Sequence, residues 1–237
     1  MIGFRWMLRI VVGLLLLFQG CHRMPEEVAS VVDEINELSL RLQEGWAGGM
    51  ITEKIIEKMS HVQEDSWRSY LYGKFEETIF SMRLETRDFY KRNRQMRLFY
   101  DLSRMCADYA SIRGGTAVDR FKLRLRRIER LRQEKVVADA LVRSDEEEIR
   151  LGATVTSSRY ARNVAYYVYQ ACEDFEKDYN LVEMKKLSPE ERVLIRKLFR
   201  DLMGREIRTE AQIKIDREKK IEEDRKIWKK IHPDGFD

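Results

Sequence analysis

DSWRSYLYGKFEETIFSMRLETRDFYKRNRQMRLFYDLSRMCADYASI, residues 65–112, decides the fold. No Pro interrupts this stretch, and Gly73 is its only Gly. Phe75, Met82, Phe89 and Met96 recur at seven-residue spacing, with Ile79, Thr86, Asn93 and Tyr100 at the companion positions. Such spacing lays an apolar stripe along one side of a helix, so it predicts a long helix packed along its neighbours. Thr86 and Asn93 make the middle of the seam polar and mark where a break would fall.

The flanks carry the same helical signals. Upstream, Pro25 opens a helix at a position that tolerates a missing N–H, and Glu26 and Glu27 suit its dipole. Its apolar stripe is Val28, Val31, Val32, Ile35, Leu38 and Leu42. A Gly-containing loop over 45–49 follows, and Thr52 is positioned to cap a short helix through Ile55, Ile56 and Met59. Downstream, Gly114-Gly115 is a turn, and Thr116 with Asp119 opens a helix with Val118, Phe121, Leu125, Ile128, Ala138 and Leu141 facing inward. Ser144 with Glu147 predicts a fresh start and a short helix to Gly152. Residues 153–158 read as a loop, and Ser158 as the cap of a helix with Tyr160, Val164, Tyr167, Val168, Ala171 and Phe175 on its core face. Ser188-Pro189-Glu190-Glu191 combines cap, proline and third-position Glu. It predicts a helix with an apolar face of Val193, Leu194, Leu198 and Leu202 that becomes charge-dominated beyond Gly204. Glu210–Lys214, Asp216–Lys220 and Glu222–Lys226 are acid-before-base pairs one helical turn apart. Sparse apolar residues there predict a segment that projects or packs weakly.

Composition agrees with an all-α chain. Charged residues make up 36% of the 237, hydrophobic ones 43%, and there are 12 Gly and 3 Pro. That is poor in the turn residues a β-sandwich needs. Aromatic content of 10% is too high for a disordered chain. The net charge of +4 is a small difference between 45 bases and 41 acids, so the whole-chain charge does not support nucleic-acid binding.

The first twenty residues differ from the rest. Arg5 and Arg9 precede an apolar run from Ile10 to Phe18, and no acid occurs before Glu26. A basic start, a short apolar stretch and a small residue form an export signal, too short to remain as a span of about 20 residues. Leu17-Phe18-Gln19-Gly20-Cys21 resembles the lipobox of bacterial prolipoproteins. Phe18 and Gln19 depart from the usual Leu or Val and small residue. The resemblance implies cleavage after Gly20 and acylation of Cys21 by chains such as palmitate. It further implies, because His22 is not the Asp that favours inner-membrane retention, an outer-membrane address if the cell is Gram-negative. The resulting organisation is a signal peptide over 1–20, a lipidated tether over 21–25, an elongated helical bundle over 26–203 and a charged helix and tail over 204–237.

Cys106 and Cys172 remain after Cys21, both on apolar helix faces. Two readings stand open: a disulfide between distant helices, and two buried thiols acting as small hydrophobes. The run Lys122, Arg124, Arg126, Arg127, Arg130, Arg132 and Lys135 meets only Glu129 and Glu134. It has two readings as well: a site for anionic lipid or cell-wall polymer, and the solvated side of an amphipathic helix. Tyr166 and Tyr169 either form a binding surface or pack on a neighbour.

Signatures of catalysis are sparse. Glu57 and His61 share a helix face with Glu64 one turn on, but paired Glu-x-x-His motifs are absent, as are a phosphate loop, Gly-x-Ser-x-Gly and His-Glu-x-x-His. The sequence therefore points to a membrane-anchored, non-catalytic helical scaffold with a protein partner, no cofactor, no metal and no nucleic acid. Direct binding of anionic lipid or wall polymer comes second, and a metal-dependent enzyme using Glu57 and His61 is the weakest reading.

Overall fold

The computed structural model describes residues 24–44, 49–84, 88–110, 115–149, 157–181 and 186–231. These form eight helices and, among the described residues, no strand: α1 (Glu26–Glu44), α2 (Gly49–His61), α3 (Asp65–Phe80), α4 (Phe89–Tyr109), α5 (Ala117–Ile149), α6 (Ser157–Leu181), α7 (Pro189–Met203) and α8 (Glu210–Ile231). The protein is all-α. Among the described residues, no helix is long and apolar enough to cross a membrane.

Apolar spacing decides which faces turn inward. Val28, Val31, Ile35, Leu38 and Leu42 are buried along α1, which packs on α2, α3 and α4. Phe80 of α3 meets Phe99 of α4 edge-on at 5.7 Å. The 33-residue α5 is the central element. It makes its most extensive contact with α6 and also packs on α4 and α7. Phe121, Phe175 and Phe199 join α5, α6 and α7, with ring centroids 5.3 Å and 4.9 Å apart. Offset and edge-on aromatic pairs of this kind add roughly 0.5–1.5 kcal/mol beyond the area they bury. In contrast, α8 lies chiefly against α6.

Several expectations need correction. Residues 65–112 are two helices, because the chain leaves the helix after Phe80 and restarts at Asp88. The Asp88 carboxylate accepts from the backbone N–H groups of Tyr90 and Lys91, and Met82 and Leu84 insert into the core from the connection. Burial of those two side chains and a cap outweigh helix continuity. Thr52 caps nothing: it lies inside α2, buried. Ser144 starts no new helix, since α5 runs through it to Ile149. On α7 Ile195 and Phe199 are buried, with Leu198 and Leu202 of the expected face partly buried beside them against the core, whereas Val193 and Leu194 are exposed. Gly204 ends α7 in the left-handed conformation (φ 69°), and α8 is a separate helix. A reciprocal cap opens α8, in which the Thr209 N–H reaches the Gln212 side chain and the Gln212 N–H reaches the Thr209 hydroxyl.

Local capping chemistry holds elsewhere. Thr116 and Asp119 cap each other at the start of α5, and Ser188 with Glu191 forms a full capping box on α7.

Candidate functional site

The basic run of α5 does not form one open face. Arg124 reaches Asp108 of α4 at 3.1 Å and pairs with Asp178 of α6. Arg126 pairs with Glu76 of α3 at 3.2 Å and covers the Phe80 ring. Arg127 is 1% exposed; it lies 4.2 Å over the Tyr100 ring and 3.7 Å from Asp174. Arg130 donates to the Met82 carbonyl at 3.3 Å, Arg132 to the Leu202 carbonyl, and Lys135 pairs with Asp139 at 2.5 Å. Lys122 faces solvent. Most of these cations therefore tie α5 to α3, α4, α6 and α7.

Their counterpart is the acidic stretch of α6, Glu173-Asp174-Phe175-Glu176-Lys177-Asp178. The Glu176 carboxylate, fully buried, accepts from Arg205 at 2.5 Å. It also accepts from Arg208 Nη2 at 2.7 Å, Nε at 2.9 Å and the backbone N–H at 3.0 Å. Burial pushes this carboxyl up, but the hydrogen bonds from Arg205 and Arg208 outweigh it and hold it below the usual carboxylate range. Glu173, also buried, pairs with Lys177 at 3.3 Å and with Arg217 of α8 at 2.5 Å. Sequence reading missed both carboxylates, because an acid-rich stretch reads as solvated when the arginines that meet it, Arg205, Arg208 and Arg217, lie on a distant part of the chain.

A third buried carboxylate crosses the centre of the molecule. Glu134 of α5 accepts from the Tyr160 hydroxyl of α6 at 2.5 Å, and from Arg92 of α4 at 2.6 Å and 2.9 Å. Burial, then the neighbouring Glu134 charge, raises the Tyr160 phenol. Glu176 and Glu134 thus face donors supplied by the chain itself, which fix helices against one another, whereas Glu173 Oε1 lies at ion-pair distance from Lys177 and Arg217 without accepting a hydrogen bond.

Cys106 and Cys172 are buried thiols that are not joined in a disulfide. Cys172 lies 3.8 Å from the Met203 sulfur, and burial pushes its thiol up to about 11. Cys21 and the rest of 1–23 lie outside the described residues. Tyr167 stacks on Tyr100 at 4.7 Å, Tyr166 is exposed, and Tyr169 carries the Lys220 ammonium 4.4 Å over its ring. His61 is exposed, with its Nδ1 2.8 Å from the Glu57 carbonyl oxygen. Among the described residues, no three His, Cys, Asp or Glu side chains gather where they could hold a metal.

The part of the molecule least committed to its own core is α8. Ile213 is buried; the other apolar side chains described there, Ile215 and Ile221, are exposed. A cleft of about 550 Å³ separates α8 from α6, lined by Lys177, Asn180, Ile213, Lys214 and Arg217 among others. Compared with known proteins, the chain matches no family model, no curated protein and no solved structure, and its role rests on the geometry above.

Proposed function

We propose that this chain is a cell-envelope lipoprotein, anchored through acylated Cys21, whose elongated helical body is a non-catalytic scaffold for a protein partner. The observation that carries the reading is α8: a helix of alternating charge that buries Ile213 and leaves Ile215 and Ile221 in water. Among its described side chains Ile213 makes the apolar contact with the domain, and the exposed Ile215 and Ile221, on different sides of the helix, suit contact with a second protein. Acyl chains on one cysteine, at about 0.8 kcal/mol per buried methylene, hold such a scaffold on a bilayer without a spanning helix.

A photocrosslinking amino acid at position 221, in intact cells, tests the interaction. The expected result is a discrete crosslinked species that is lost when the probe is moved to buried position 195. Absence of any species above background at 215 and 221 sinks the reading. The anchor is tested separately by Cys21→Ser, expected to move the protein from the membrane pellet to the soluble fraction.

A further inference from the structure

Along α6, Tyr169, Glu173, Glu176 and Asn180 recur at helical spacing and share one face. That face meets α8 and its linker through charge and hydrogen bonds. The Lys220 ammonium lies over the Tyr169 ring at 4.4 Å, and Arg217 pairs with buried Glu173 at 2.5 Å. Nearer the linker, Asn180 donates to the Arg208 carbonyl at 2.7 Å, and Arg205 and Arg208 enclose Glu176. The order of the pairs, 169 with 220, 173 with 217 and 180 with 208, makes the two segments antiparallel.

Two physical points distinguish this contact from a core seam. Among the described side chains of α8, Ile213 is the one buried apolar residue that opening the whole contact would expose. Opening also returns the Glu173 carboxylate to water, Arg217 and Lys220 being exposed already, and its regained hydration offsets the lost ion pair. The linker behaves differently. Four donor atoms hold Glu176 and tie residues 205–208 to α6, and Arg208 also reaches Asp216 of α8 at 2.8 Å, so the first turns of α8 are held with the linker and the part beyond Asp216 is the part free to open. Gly204 supplies the left-handed bend that turns the chain from α7 into this linker.

We propose that the Tyr169–Glu173 face of α6 is a docking site for a basic helix of the protein partner, and that α8 occupies it intramolecularly as a displaceable stand-in. The chemistry of the occupant is read from α8 itself: a helix presenting cations one turn apart, as Arg217 and Lys220 do, to a buried carboxylate and a tyrosine ring. Glu176 is the pivot and Glu173 the latch. The proposal rests on the protein-interaction reading above, but its test does not use the cellular partner.

The probe is a synthetic peptide copying residues 210–231, titrated into the purified full-length chain, with hydrogen exchange measured on the same samples. Arg217→Ala removes a half-exposed side chain of α8 and leaves the body intact. It is expected to speed amide exchange over 217–226 about tenfold, with exchange in α5 and α6 unchanged. It is also expected to tighten peptide binding about tenfold, because a closed site weakens apparent affinity by the fraction of molecules that are open. Adding Glu173→Gln to Arg217→Ala is expected to abolish the gain. The proposal is overturned if Arg217→Ala leaves peptide affinity unchanged, if it loosens α5 and α6 as much as α8, or if the peptide binds equally well without the Glu173 carboxylate. Failure of crosslinking at 221 with success here would leave the latch standing and remove the cellular scaffold reading. The reverse pattern would remove the latch alone.

Discussion

Arg127 and Glu134 lie seven residues apart on α5 and both are buried, yet their replacement has opposite expected consequences. Glu134 is saturated, with Tyr160 and two nitrogens of Arg92 on one oxygen. Glu134→Ala strands Arg92 in a site where its side chain is 12% exposed, and is expected to cost about 3–5 kcal/mol in urea unfolding. Tyr160→Phe removes one bond to a charged acceptor and is expected to cost about 1.5–3 kcal/mol. Arg127 is poorly served: its Nε and Nη2 find no hydrogen-bond partner, and burial lowers its basicity despite the neighbouring Tyr100 and Asp174. A hydrophobic side chain of similar length keeps the packing on Tyr100 and removes the unmet donors. Arg127→Met is therefore expected to leave the urea midpoint unchanged or to raise it, and a loss above about 2 kcal/mol would contradict this account. Glu176 supplies a pH dependence. Its folded carboxyl lies below an unfolded value near 4.3, so the charged form is what folding favours. Its contribution is complete at neutral pH and is lost as pH falls through the folded value. Accordingly, the stability difference between the native chain and Glu176→Gln is expected to hold from pH 7 to 5 and to shrink in more acid solution.

At the scale of helices, what the sequence reveals depends on how local the deciding interaction is. The caps at Thr116–Asp119 and Ser188–Glu191 were legible because each is completed within four residues. The break was legible only as the polar interruption at Thr86 and Asn93; its place after Phe80 was not, since Met82 and Met96 keep the seven-residue rhythm across it and both are buried. The rhythm is satisfied by a core that surrounds the connection as readily as by one continuous helix. Likewise α7 carries two apolar stripes, and Phe175 of α6, stacked on Phe199, selects the one containing Ile195 and Phe199. Ser144 followed by Glu147 matches a cap, but the same spacing occurs freely within a helix that other forces continue. Two element-scale predictions follow from the ends that are defined. Asp88→Ala leaves two N–H groups of α4 without their acceptor and is expected to cost about 1 kcal/mol. Gly115 closes the α4–α5 turn, where an added Cβ would stand 2.6 Å from the Ala110 carbonyl oxygen. Gly115→Ala must therefore shift backbone, and thermal unfolding is expected at a lower temperature than in the native chain.

For the whole molecule, the acids and bases that nearly cancel in number also meet in space. Arg124 joins α4 and α6, Arg126 reaches α3, and Arg132 reaches the end of α7, so the run that looks most like a polyanion site is largely occupied by the fold. An anionic surface would have to compete with partly buried ion pairs, and the long-range attraction left over from a net +4 is weak beyond a Debye length of about 10 Å. The two proposed sources of membrane attachment respond differently to salt. If hydrocarbon on Cys21 holds the protein, unlipidated Cys21→Ser protein should show no co-sedimentation with vesicles rich in anionic lipid, even at about 0.01 M salt, where screening is least. If the α5 cations hold it, the same protein should sediment at low salt and release as salt rises. Lys122→Ala with Arg126→Ala, which removes exposed charge while sparing the buried Arg127, should then weaken that sedimentation severalfold. The first outcome is the expected one, since moving Arg124, Arg126 or Arg127 to a lipid phosphate leaves a carboxylate of α3, α4 or α6 behind.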